Sequence, residues 1–76
     1  MALNRIQQSQ LKKFGQAVRQ TRLRASMTQG ELAEKLSIHR RSVQKIESAT
    51  MNTLLTSAIR IRQALGCRWE DLLGDL

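Results

Sequence analysis

The sequence predicts an all-α fold, a compact five-helix bundle, and three observations carry that expectation. Apolar residues recur three and four positions apart in several short stretches, the spacing of a helix's inner face. Proline is absent and β-branched alternation is scarce, which disfavours strands. Helix punctuation separates the stretches: Thr28 with Glu31 three residues on, and Gly66 directly after Leu65. With 76 residues there is room for one small domain, near the lower limit for a self-supporting core. Aromatic residues make up only 3% of the chain, so that core is expected to be aliphatic.

Residues 1–10, MALNRIQQSQ, are polar and weakly periodic and read as an N-terminal arm or an extension of the first helix; residues 11–76 read as the folded domain. Ser9 is a candidate cap for a first helix whose inner stripe is Leu11, Phe14 and Val18. Its other faces carry Lys12, Lys13, Arg19, Arg22 and Arg24. Thr28 and Glu31 have capping-box spacing and start a second helix with Leu32, Ala33 and Leu36 inside. Ser37 ends it. Ile38, Val43 and Ile46 form the apolar side of a third helix. A fourth runs from about Thr53 to Leu65, with Leu54, Ala58, Ile61 and Leu65 on one face and Leu55 and Ile59 beside it. Gly66 is the expected left-handed C-cap. The tail CRWEDLLGDL supplies a short fifth helix bearing Trp69, Leu72 and Leu73. Met27, Met51 and Cys67 read as packing residues.

Charge narrows the function. The formal net charge is +7, and residues 1–69 hold thirteen bases against three acids, a net of +10. Such a surface attracts polyanions, nucleic acid above all; the bland alternative is a merely soluble basic protein. A lone Cys67 without any CxxC pair suggests neither disulfide nor zinc and suits a reducing cytoplasm. No metal or cofactor is expected. The N-terminus lacks the apolar run of a signal peptide, and nothing approaches the roughly twenty apolar residues of a membrane span, so no membrane association is expected. One histidine without an acid–base arrangement around it argues against an enzyme.

The stretch TQGELAEKLSIHRRSVQKIE, residues 28–47, concentrates the argument. Two short helices joined by a tight turn pack only if their contact is small, and Ala33 supplies a single methyl there. Leu32, Leu36, Ile38, Val43 and Ile46 close a miniature core around it. Arg40, Arg41, Gln44 and Lys45 are then left on the outward face of the third helix, with Ser42 at its edge. None is acidic. A helix fits the major groove of DNA, arginine reads guanine with a bidentate fork, and glutamine does the same for adenine. Cations at a helix start are mildly unfavourable to its dipole, a local misfit that favours a ligand role for Arg40 and Arg41.

The run Thr28-Gln29-x-Glu31-Leu32-Ala33-x-Lys35-Leu36, followed by Ile38, Arg40, Val43, Ile46 and Glu47, strongly resembles the λ-repressor-like helix-turn-helix domains of Cro/repressor or xenobiotic-response-element type. The resemblance runs without gaps from Phe14-Gly15 and Arg22 through Ala64-Leu65-Gly66 to Leu72-Leu73. It implies a helix-turn-helix DNA-binding domain over residues 11–76, with double-stranded DNA as partner and the third helix in the major groove. Arg40, Arg41, Gln44 and Lys45 match the base-reading positions. Phosphate contacts are expected from Thr28 and Gln29 at the second helix's start, from Ser42, and from Ser48, Thr50 and Asn52 in the following loop. Arg22 and Glu47 match a salt bridge that ties the first helix to the third.

Some positions depart from the family pattern. Ser37 stands where glycine is favoured, and a left-handed serine costs on the order of 1 kcal/mol. His39 occupies a usual Ser/Thr cap position, so the third helix is expected to start less sharply. Thr53 replaces a frequent proline. Arg62 replaces a small residue, so the fourth helix is expected to be rotated or Arg62 to reach a neighbouring acid.

The apolar arc of the fourth helix is wider than one small core needs, which points to a homodimer through the fourth and fifth helices, using Leu55, Ile59, Trp69 and Leu72. The first expectation is a sequence-specific transcription regulator of bacterial or phage type, at work in the cytoplasm with the nucleoid and bound to a short inverted repeat. Either a phage repressor or a restriction–modification controller would suit this size. A rival is an antitoxin whose main partner is a toxin protein, with DNA binding as autoregulation. A third is sequence-independent nucleic-acid binding.

Overall fold

Asn4, rather than Ser9, starts the first helix. A computed structural model describes residues 2–76, and in it α1 spans Arg5–Arg24. The Asn4 side chain accepts the Gln7 N–H at 2.8 Å while Gln7 Oε1 accepts the Asn4 N–H at 3.0 Å. That reciprocal pair satisfies two amides at once. Ser9 has Lys12 at the corresponding position, which offers no acceptor, so it lies inside the helix instead.

Thr28 begins α2 (Gln29–Leu36) as its spacing predicts. Thr28 Oγ1 accepts the Glu31 N–H at 3.0 Å and Glu31 Oε1 accepts the Thr28 N–H at 2.9 Å. The Thr28 N–H donated to it, and after that the neighbouring Thr28 hydroxyl, hold the Glu31 carboxyl below its ordinary pKa. Ser37 closes the helix in the left-handed region at φ 56°, and the Ile38 N–H returns to Ala33 O at 3.0 Å. The turn leads into α3 (Arg40–Glu47), whose N-cap His39 makes no side-chain capping bond.

The fourth helix, α4, is Leu55–Leu65. Leu54 does not join its inner face as expected: it is the N-cap and 69% exposed, because its extended backbone (φ −69°, ψ 150°) ends the helical register before it. Gly66 caps the C-terminus at φ 61°, and α5 (Trp69–Leu73) follows.

The core is aliphatic around one phenylalanine: Phe14 and Val18 from α1, Leu32, Ala33 and Leu36 from α2, Val43 and Ile46 from α3, Ile61 from α4 and Leu72 from α5. Met27 and Cys67 pack against it; Met51 does not, being 39% exposed in the loop beyond α3. Burial pushes the Cys67 thiol up from its ordinary pKa. Leu72 is only 2% exposed, so it fills this chain's own core and has no surface to offer a second subunit, which corrects its assignment to the dimer face. Among the described residues Arg62 reaches no acid. Its guanidinium sits 5.3 Å from the centroid of the Trp69 ring and donates to Cys67 O at 3.4 Å.

Helices α1 and α3 meet at backbone distance. A Cβ placed on Gly15 would lie 2.6 Å from Ile46 O and 2.7 Å from Glu47 O, so only glycine fits where α1 crosses the end of α3. No helix among the described residues is long and apolar enough to cross a membrane.

Candidate nucleic-acid interface

The geometry of the interface begins at a buried charge. Glu47, the last residue of α3, accepts Arg22 Nε at 2.7 Å, Arg22 Nη2 at 3.1 Å and Gln29 Nε2 at 3.1 Å. Arg22 Nη1 donates to Met27 O at 2.8 Å. The Arg22 and Glu47 side chains are 7% and 4% exposed, and the bond to Glu47 raises the Arg22 pKa above its ordinary value. The pair therefore fastens α1, the α1–α2 turn, α2 and α3 together. It also neutralises the carboxylate of α3, so no free negative charge remains on that helix. The Arg22–Glu47 bridge that the resemblance implies is present, and this carboxylate partner turns Arg22 inward from the outward face on which the helical pattern alone places it.

With Val43, Ile46 and Glu47 buried, the rest of α3 faces outward. Arg40, Arg41, Gln44 and Lys45 are all exposed, and Ser42 is half-buried at the edge. Among the described residues none of the four has an ion-pair partner. They form one face of long donors with no acceptor charge, which is what base edges and phosphates require.

The expected phosphate contacts other than Ser42 fall into two concavities, one at each end of α3, while Ser42 lines a separate small recess with Ile38 and Ile46. The first, about 540 Å³, brings together Thr28, Gln29 and Arg40 and adds Arg19 of α1. Gln29 enters it already engaged, since one amide hydrogen goes to Glu47; the second amide hydrogen remains for an anion. Sequence reasoning noted Arg19 only as a basic residue on α1. Its position three before Arg22 puts it beside that residue on the helix surface, and this was the available signal. The second concavity takes Ser48, Thr50 and Asn52. Ser48 Oγ lies 3.0 Å from Thr50 Oγ1, and Thr50 N–H donates to Lys45 O at 3.0 Å, which folds the loop back onto the last turn of α3. Ala49 holds a left-handed φ of 59° within it.

Residues assigned to a dimer face lie away from α3. Leu55 is 73% exposed, and Ile59 and Trp69 are half-buried. Leu55 and Trp69 share an apolar groove of about 380 Å³ with Leu11, Phe14, Ala58 and Leu73. Ile59 does not line it. Among the described residues no cluster of three or more His, Cys, Asp or Glu side chains gathers to hold a metal ion.

Comparison with known proteins agrees with this architecture. The helix-turn-helix family pattern matches residues 18–72. The control protein C.BamHI of Bacillus amyloliquefaciens is 43% identical over 61 residues, which span 79% of this chain and 75% of that protein. The crystal structure of the restriction-modification controller protein C.AhdI from Aeromonas hydrophila superposes with a TM-score of 0.79 at 28% identity, covering 84% of this chain and 97% of that one. The chain belongs to the helix-turn-helix family of DNA-binding transcription regulators, in its λ-repressor-like, xenobiotic-response-element branch.

Proposed function

We propose that this protein is a sequence-specific regulator of restriction–modification genes, acting as a homodimer on a short inverted repeat with α3 in the major groove. The observation that carries the reading is the α3 face: four exposed donors without an ion-pair partner, on a helix whose only acid is buried against Arg22. Arg40, Arg41, Gln44 and Lys45 read base edges. Thr28, Gln29, Arg19, Ser42 and the loop Ser48–Asn52 engage phosphates. The two relatives named as control and controller proteins favour this system over a toxin–antitoxin pair. The exposed Leu55 and the groove it shares with Trp69 support self-association through α4 and α5. Two copies of α3 would then stand about 34 Å apart, one turn of B-DNA. The reading is of a cytoplasmic binding protein, not an enzyme.

Arg41→Ala tests it. Against a duplex selected from a random library at fixed salt, the variant loses about 1–3 kcal/mol and relaxes one base position. Equal losses on the selected and a scrambled duplex would leave only sequence-independent binding and overturn the readout.

A further inference from the structure

The second concavity has another wall. Its volume is about 610 Å³, and facing the loop residues Ser48, Thr50 and Asn52 it is lined by Arg5, Gln8 and Lys12 of α1. Positions 5, 8 and 12 follow at three- and four-residue steps, so they share one side of the helix. That side exists because the Asn4–Gln7 capping box starts α1 at Arg5. No acidic residue lines the concavity, and both its cations are exposed and form no ion pair among the described residues. Its floor is continuous with the reading face, since Thr50 is bonded back to Lys45 O.

A cleft that pairs two long cations with hydroxyl and amide donors, and contains no carboxylate, suits a phosphodiester. We infer that the first turns of α1 are part of the DNA-binding surface: Arg5 and Lys12, across from Ser48, Thr50 and Asn52, seat a backbone phosphate beyond the end of α3. The inference rests on the DNA-binding reading above and extends it to a segment outside residues 18–72, the part the family pattern covers. The contact carries no base information. It lengthens the protein's footprint along the backbone and strengthens binding to every sequence alike.

The test uses the full-length protein, a short random-sequence DNA duplex and fluorescence anisotropy across a salt series. Each phosphate no longer neutralised flattens the slope of log K against log salt by about 0.9, so Arg5→Gln with Lys12→Gln, which releases the one phosphate, flattens it by about 0.9. A fourfold rise in salt then weakens the double variant about 3.5-fold less than the parent. Lys13→Gln is the control, because Lys13 points to the C-terminal tail, where its Nζ is 3.5 Å from Asp75 O. It removes the same kind of charge from another face. An unchanged slope in the double variant, or an equal flattening in the Lys13 control, overturns this inference while leaving the regulator reading intact. Failure of the parent protein to bind any duplex at low salt overturns both.

Discussion

Replacing Gly15 by alanine sets two physical effects against each other, and the structure says which wins. Glycine inside a helix is unfavourable relative to alanine by about 0.8–1.0 kcal/mol, so propensity alone predicts that Gly15→Ala stabilises α1. The new methyl, however, would sit 2.6 Å from Ile46 O and 2.7 Å from Glu47 O. Ordinary contact begins at 3.4 Å, so the nearer approach is 0.8 Å too short. The obstructing atoms are backbone carbonyls at the end of α3, not the tips of flexible side chains, and they cannot rotate away. Either α1 and α3 separate or the last turn of α3 distorts. Overpacking of this kind costs roughly 1–3 kcal/mol and occasionally more, which outweighs the propensity gain at most of that range. The expected outcome is a lower urea midpoint, with weaker DNA binding because the displaced element is the helix proposed to enter the major groove. Urea unfolding followed by circular dichroism measures the first and anisotropy the second. A variant as stable as the parent, or more stable, would refute the close-approach argument.

Glu47→Ala leaves the buried Arg22 guanidinium without its partner and is expected to cost roughly 3–5 kcal/mol in urea unfolding, while Arg22→Met with Glu47→Leu loses less than the single variant; a double variant at least as damaged as Glu47→Ala would refute the pairing argument. Ser37→Gly removes the strain of a left-handed serine and is expected to raise stability by about 1 kcal/mol, read as an upward shift of the thermal midpoint; no shift would mean the turn carries little strain. Acid should weaken the start of α2. The Glu31 carboxyl has a depressed folded pKa, so its capping contribution is present above the unfolded carboxylate pKa and is lost as pH falls through the lower folded value. Amide exchange of the Thr28 N–H should quicken across that acid window, and Glu31→Gln should blunt the dependence.

The fold was legible where local chemistry has few alternatives. Thr28 with Glu31 admits one reading, and so does Gly66 after an apolar stripe; both stand where their spacing puts them. The first helix start was legible only in part: residues 1–10 read as an arm or a helix extension, and the structure takes the extension, but a hydroxyl at Ser9 resembles a cap more than the amides of Asn4 and Gln7 at the same spacing do. Leu54 was misplaced because periodicity cannot show where a backbone leaves helical dihedrals. The placement of Leu72 failed for a different reason: a five-residue helix gives too short a pattern to separate a core-facing leucine from an interface one. The exposure of Arg40, Arg41, Gln44 and Lys45 on α3 was legible since their positions interleave with the buried Val43 and Ile46. Arg19, Arg5 and Lys12 were not, because which basic residue of a long helix borders a cleft depends on what packs beside it.

The buried ion pair explains how a helix as short as α3 can hold a fixed pose. Eight residues are too few for α3 to be stable alone, so its orientation must come from its attachments. At its C-terminal end Glu47 binds Arg22 and Gln29, and Gly15 of α1 lies against the carbonyls of the same residue and its neighbour. A carboxylate with three directed donors fixes rotation about the helix axis, which a greasy contact of the same size does not. A glycine crossing fixes separation. At the other end the Ser37 turn returns the Ile38 amide to Ala33 and sets the angle at which Arg40 emerges. Base readout tolerates errors of only a few tenths of an ångström in a bidentate hydrogen bond. The exposed side chains proposed to read base edges and the buried Arg22, Glu47 and Gly15 that fix the pose of α3 are thus different sets.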